Sequence, residues 1–285
     1  MTSSESTRKV ALITGSTDGL GRAVARSLAA AGFHVLVHGR DTQRGEALVR
    51  EISAQGASAV FLRADLASLA EVRALADTVR RQHDRLHLLI NNAGIGTGDG
   101  SGRPAPRLTS GDGYELRFAV NYLAGYLLTR LLLPNLARGA PARIVNVASV
   151  GQFPLDFANL MLTRAYSGMR AYAQSKLAQV MLTFDLAAEL RGSGVTVNCL
   201  HPATYMDTTM VRAAGVEPVS TVAEGEAAVM HLAVSPQLEG RTGEYFDGMR
   251  PGKANAQAYD PQARRRLAEV SAQLAGLDQA PGPPG

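Results

Sequence analysis

The sequence predicts an α/β fold, a parallel sheet covered by helices on both faces, and three observations predict it. Short β-branched runs alternate with helical patterns through the first two thirds of the chain. The runs (ALIT, VLV, LLI, RIVNVA, VTVNCL) are almost purely apolar rather than alternating, as burial on both faces requires. The first run opens onto closely spaced glycines and then a helical pattern, the sequence of a strand-to-helix turn.

The elements follow in order. Residues 10–14 are the first predicted strand, and a helix over 22–31 follows the glycines. A strand over 34–38, a polar helix from Asp41 and a strand over 59–63 come next. A helix over 69–81 leads to a strand over 86–91. A long helix over 113–137 leads to a strand over 143–148, and a helix around 172–190 to a strand over 195–200. Residues 94–111 are rich in Gly, Pro and Ser and read as a loop. Near the C-terminus Asp260 is a plausible N-cap with Pro261 at the first helical position, and Leu267, Val270 and Leu274 form an apolar stripe. The arginines at 264–266 read as a solvated face. A domain over 9–250 is expected, flanked by a polar tail at 1–8 and a C-terminal extension over 251–285 that frays at 282–285.

Composition narrows the function. With 285 residues, 46% hydrophobic and 19% charged, the chain is that of an ordinary globular protein. The single cysteine, Cys199, gives neither an internal disulfide nor a thiolate metal cluster, so no metal is expected. The N-terminus lacks an apolar signal core, and the run from Leu127 to Leu133 is cut by Arg130, so the protein is expected to be cytoplasmic with no membrane partner. The net charge of +4 comes from arginines spread along the chain, with no aromatic-rich basic patch, so no nucleic acid is expected. Only Lys9, Lys176 and Lys253 are lysine.

After the first predicted strand the chain reads Thr14-Gly15-Ser16-Thr17-Asp18-Gly19-Leu20-Gly21. Glycines here let the backbone pass close to a pyrophosphate, and the helix that follows offers free N–H groups to the anion. A tight turn without ligand is the other reading. The second strand ends His38-Gly39-Arg40-Asp41. A carboxylate at this place binds a ribose 2′-hydroxyl, whereas a 2′-phosphate needs a cation. Gly39 stands at the acidic position and Arg40 follows, which predicts NADPH; a guanidinium–phosphate contact contributes about 1.5–3 kcal/mol. If Arg40 is merely solvated and Asp41 takes the ribose, NADH results. Asp65, with Leu66, either accepts from the adenine amino group or caps the next helix. Asn91-Asn92-Ala93-Gly94 ends the fourth strand, where small residues permit approach to a ribose.

Tyr172-Ala173-Gln174-Ser175-Lys176 puts a phenol and an ammonium one turn apart on one helix face. Bringing the phenol from about 10 towards 7 requires about 4 kcal/mol, which an ammonium about 4 Å away at an effective dielectric near 20 supplies. Tyr172 can then exchange a proton with a substrate oxygen. Ser149, at the end of the fifth strand, can hydrogen-bond the same oxygen, and Asn121, an odd residue amid an apolar helix, is a candidate to anchor a proton-relay water to Lys176.

TGSTDGLG, NNAG, Asn121, RIVNVAS and YAQSK together resemble the short-chain dehydrogenase/reductase family, in the expected order over residues 10 to about 248. The resemblance implies a single-domain Rossmann fold, a doubly wound parallel sheet of about seven strands. It also implies hydride transfer between a nicotinamide and a carbonyl or alcohol, with Asn121, Ser149, Tyr172 and Lys176 as catalytic tetrad. Relatives commonly pair through the helices containing Asn121 and Tyr172, so a homodimer or homotetramer is expected.

Departures from the family pattern bear on the substrate. The segment between Ser149 and Tyr172 is long, as in retinol-dehydrogenase and carbonyl-reductase-like branches, and is expected to border the substrate pocket. Pro202-Ala203-Thr204-Tyr205-Met206-Asp207-Thr208 stands where the family tends to have Pro-Gly-x-x-x-Thr, so either Asp207 or Thr208 meets the nicotinamide carboxamide, with Pro202 and Tyr205 beside it. Asp18 stands where NADPH-preferring relatives often carry a basic residue. Residues 204–221 are the expected lid. Phe153, Phe157, Met161, Met169, Met206 and Met210 suggest an apolar pocket, although a Met-rich stretch is also ordinary core. The expected substrate is a medium-sized, mainly apolar ketone or aldehyde of specialised metabolism. The rivals are a redox-neutral isomerase or epimerase using bound NADP, and a catalytically silent nucleotide-sensing protein.

Overall fold

In the computed structural model, which describes residues 8–98 and 105–277, β1 (Val10–Ile13) runs up the middle of an eight-stranded sheet. The strands are β2 (His34–Gly39), β3 (Ser58–Arg63), β4 (Leu88–Asn91), β5 (Ala142–Val147), β6 (Val195–His201), β7 (Tyr245–Asp247) and β8 (Arg250–Pro251). Their order is β3-β2-β1-β4-β5-β6-β7-β8; all neighbours are parallel except β7 and β8. The direction of winding reverses between β1 and β4, and a crevice therefore opens beyond their carboxyl ends. The short antiparallel β8 is one strand more than the sequence suggests.

Helices α1 (Gly19–Ala30), α2 (Thr42–Ala54) and α7 (Val222–Val234) bury Leu28, Ile52 and Val229 on one face of the sheet. Helices α3 (Leu69–Gln82), α4 (Ala124–Arg138) and α5 (Gly168–Glu189) cover the other with Val72, Leu127 and Leu177, and α8 (Pro261–Leu274) packs on this helical layer with Leu267. The short α6 (Thr209–Ala213) lies in the expected lid and buries no residue. Both faces are thus apolar, which is why the central strands lack alternation. This is a single-domain α/β Rossmann-type fold.

The helices depart from expectation in several places. Helix α1 begins at Gly19 because Asp18 caps it, accepting from the Gly19 N–H at 2.8 Å. The long helix expected from residue 113 starts only after a turn closed by the Thr109–Glu115 bridge. It then widens into a π-helical stretch, Phe118–Leu123, before α4. Helix α7 went unread although Thr221 and Glu224 form a capping box ahead of Ala228, Val229 and Leu232. Asp260 does cap α8, accepting from the Gln262 N–H. The tail before residue 8, part of the 94–111 loop and the frayed end at 282–285 lie outside the described residues.

Candidate active site

Four strand ends build the site, beginning with the glycine-rich turn after β1. Gly15 and Gly19 have φ of +64° and +49°, a region costly for side-chain-bearing residues. A Cβ on Gly21 would come within 2.3 Å of the Gly15 carbonyl, so close packing of α1 on the turn requires a bare backbone there. Asn92, after β4, ties the turn down by donating from Nδ2 to the carbonyls of Thr14 (2.9 Å) and Gly15 (3.1 Å), and Ala93 abuts Gly15. His38, which the sequence reading passed over, lies beneath: its Nδ1 accepts from the Gly15 N–H at 3.1 Å. Burial drives this imidazole down to about 4, against smaller raising effects of Ala64 and Asp65.

Not every residue of the turn faces the crevice with its side chain. Ser16 is fully buried and donates to the Ile13 carbonyl at 2.9 Å, and Leu20 packs into the core beside Met206. For these two only the backbone is available to a ligand, a correction that follows from their position between strand and helix. Asp18 is a junction, accepting from Gly19, from Arg44 at 3.3 Å and from the Thr209 hydroxyl at 2.8 Å. Arg40 is largely exposed and 3.9 Å from Asp65. Asp65 does not cap α3; Ser68 does, and Asp65 Oδ1 accepts from the Ala67 N–H instead, with Leu66 buried between them.

The second wall comes from β5 and α5. Ser149, two residues past β5, is buried and close enough to the Tyr172 hydroxyl to act on its ionisation, and its Oγ accepts from the Gly151 N–H at 3.0 Å. Ser167 caps α5 and so sets Tyr172 in its second turn. Lys176, buried, lies on the same face with Nζ 5.7 Å from the centroid of the Tyr172 ring. The expected ammonium–phenol effect is nonetheless corrected. Nζ is engaged by the Val147 carbonyl at 2.8 Å and Gln179 Oε1 at 2.9 Å. Burial therefore prevails on both groups: it pushes the phenol above its ordinary value despite the lowering effect of Ser149, and draws the lysine down to about 7.

Asn121 sits in the π-helical stretch, whose widened turn aims its carboxamide at the loop after β4. Oδ1 accepts from the Ile95 N–H at 2.8 Å, while Nδ2 donates to the Ile95 carbonyl (3.1 Å) and to Ser175 Oγ (3.0 Å). Its side chain is thus a clamp on the loop and on α5, not a direct partner of Lys176, although both flank Gly94. Arg117, also unread in the sequence, holds the same loop through the carbonyls of Gly96 and Thr97.

The third wall is the segment after β6. Pro202 is buried, and Tyr205, at φ +44°, lies near enough to Tyr172 to raise it slightly. Thr208 turns its methyl onto Gly19, whereas Asp207 faces outward to Arg212 at 2.6 Å. Met210 rests over Gly96, and Phe153 and Met169 are exposed near the entrance to α5. Phe157 and Met161 join Val270 and Leu274 of α8 around a groove of about 270 Å³; Met206 is instead a packing residue, set on Gly225 of α7. Core and pocket draw on the same apolar residue types, so composition alone does not tell them apart.

A doubly wound sheet with a glycine cradle at its switch point, and a Ser–Tyr–Lys set at the neighbouring strand end, defines a nicotinamide-dependent oxidoreductase. The short chain dehydrogenase family model matches residues 9–217, and the chain belongs to the short-chain dehydrogenase/reductase family. It is 35% identical to retinol dehydrogenase 13 of Mus musculus, over 97% of this chain and 86% of the relative. To the polyprenol dehydrogenase of Mus musculus it is 37% identical, over 94% and 84%. Among solved structures it is similar to a Shigella flexneri short chain dehydrogenase complexed with NADP (TM-score 0.69, 25% identity, 84% of this chain and 96% of that one). It is also similar to the 3-ketoacyl-(acyl-carrier-protein) reductase of Brucella melitensis complexed with NADH (TM-score 0.66, 28% identity, 84% and 96%). The protein is an NAD(P)-dependent oxidoreductase acting between carbonyl and alcohol.

Proposed function

We propose that the protein is an NADPH-dependent reductase of a medium-sized, mainly apolar ketone or aldehyde, and the observation that carries this is the placement of Ser149, Tyr172 and Lys176 together beside the glycine cradle. The residues present fit a dinucleotide. The bare backbones of Gly15, Gly19 and Gly94 line the crevice, and the first-turn N–H groups of α1 suit a pyrophosphate. Thr208 and Pro202 would lie against the nicotinamide end. A Cβ at Gly39 would run into Thr17, at 2.6 Å from its Cγ2, which disfavours a carboxylate at the place that reads a ribose 2′-hydroxyl. Arg40 and Arg44 border that place instead. When bound, the nicotinamide supplies or accepts the hydride.

The chain's own groups handle the proton. A phenol held above its ordinary value is almost wholly neutral at pH 7, ready to donate its proton to a carbonyl oxygen. The Ser149 hydroxyl is placed to donate a second hydrogen bond to that oxygen. Alcohol oxidation requires the phenolate, which burial resists, so turnover in that direction should rise with pH. The apolar substrate class is supported by the exposed Phe153 and Met169 at the entrance to α5, and by relatives named for retinol and polyprenol.

The test is Tyr172→Phe. We expect unchanged NADPH binding and a fall in retinal or aromatic-ketone reduction of at least about 10²-fold; undiminished reduction would refute the assignment. Arg40→Ala combined with Arg44→Ala should weaken NADPH about 10-fold or more while NADH affinity changes little. Equal weakening of the two cofactors would remove the 2′-phosphate role.

A further inference from the structure

Lys176 lies between α5, β5 and β6 with 4% of its surface exposed. Among the described residues its hydrogen-bond acceptors, the Val147 carbonyl and Gln179 Oε1, are both uncharged. The groups facing it are few. Tyr172, on its own helix, presents a ring face at 5.7 Å. From β6, His201 has its imidazole held down chiefly by burial, with Asp247 acting in the opposite sense and Lys176 adding a smaller lowering effect. Asn121, from the π-helical stretch, reaches the same side of Gly94 as Nζ.

Gln179 is itself 3% exposed and lies one turn further along α5, so its carboxamide cannot swing out to solvent. An acceptor at 2.9 Å favours an ammonium over an amine, because the ammonium is the stronger donor. A carboxylate there would fix the charge permanently and draw the lysine off the crevice; an apolar side chain would leave burial unopposed.

We propose that Gln179 is a positioning residue for Lys176: its carboxamide oxygen keeps the buried lysine in its ammonium form beside Tyr172 and so sets the pH above which turnover fails. This rests on the catalytic reading of Tyr172 proposed above and on the family expectation that Lys176 acts with it.

The chain has only three lysines, which makes the claim directly measurable. In full-length protein labelled with 13C at the lysine Cε, Lys9→Arg and Lys253→Arg leave one resonance, that of Lys176. Gln179→Met removes the acceptor at nearly constant volume, and Gln179→Glu adds a negative charge. We expect the Lys176 titration midpoint to fall by about one unit in the first variant and to rise by about one unit or more in the second. The alkaline limb of turnover should move with it. A midpoint unmoved in Gln179→Met, or shifted in the same direction by both variants, overturns the proposal. Should the buried glutamate prevent folding, Gln179→Met decides alone. The titration does not depend on turnover, so a failure here is separate from a failure of Tyr172→Phe.

Discussion

His38 shows how much of a ligand site can depend on a residue that never meets the ligand. Its neutral imidazole accepts from the Gly15 N–H and so fixes the first glycine of the cradle from below. Once both ring nitrogens carry protons, this acceptor is gone. Burial holds the folded-state value at about 4, below the ordinary 6.5. The unfolded chain therefore binds more protons than the folded one between these values, and stability rises with pH across that window. The contribution, about 3 kcal/mol, is fully present above pH 6.5 and is lost as pH falls towards 4. His38→Asn, whose carbonyl can still accept, should flatten the acid side of the stability curve, as measured by chemical denaturation from pH 4 to 7. An unaltered slope in that variant would show that other groups govern the acid limb.

Among the elements, α6 in the expected lid is one whose stability comes from its contacts rather than from itself. Helix α6 spans five residues and buries none, too short to persist alone. It is fastened by Thr208 on Gly19, Met210 over Gly96 and the Thr209 hydroxyl donating to Asp18, which also accepts from Arg44. Thr209→Val removes one fastening without touching the cap of α1. We expect KM for the carbonyl substrate to rise about two- to tenfold, with faster proteolysis between 209 and 215. An unchanged KM together with unchanged proteolysis would reduce Asp18 to a helix cap. The element scale also shows what the sequence could reveal. Apolar runs and the TGSTDGLG turn reported strands, cradle and helix start, because burial on two faces and bare backbone leave a compositional trace. YAQSK reported one helix face, which placed Tyr172 and Lys176 together. The π-helical stretch at Asn121 leaves no such trace, since a widened turn shifts register without changing residue types, and the clamp on Ile95 was hidden with it. Met206 misled because packing against α7 and lining a pocket ask for the same side chains.

For the molecule as a whole, the C-terminal extension decides which surfaces remain available. Helix α8 lies across the two helical regions through which the family resemblance led us to expect self-association. Ser271 hydrogen-bonds the buried Tyr122 hydroxyl at 2.7 Å, Arg264 pairs with Asp185 of α5 at 2.7 Å, and the Leu274 carbonyl accepts from Tyr114 at 3.0 Å. Leu267 is 2% exposed in the same layer. Any pairing through these helices must incorporate α8 or displace it. Leu267→Ala should cost about 2–5 kcal/mol of stability, since the cavity falls in the buried layer where α8 packs on the helices beneath it. A chain ending at Tyr259 uncovers Tyr122 and its apolar neighbours, and buried apolar surface returned to water drives association. Sedimentation should show the shortened chain in larger species than the full chain at the same concentration, with a lower thermal midpoint. If the two chains sediment alike and melt together, α8 neither guards that face nor belongs to the core.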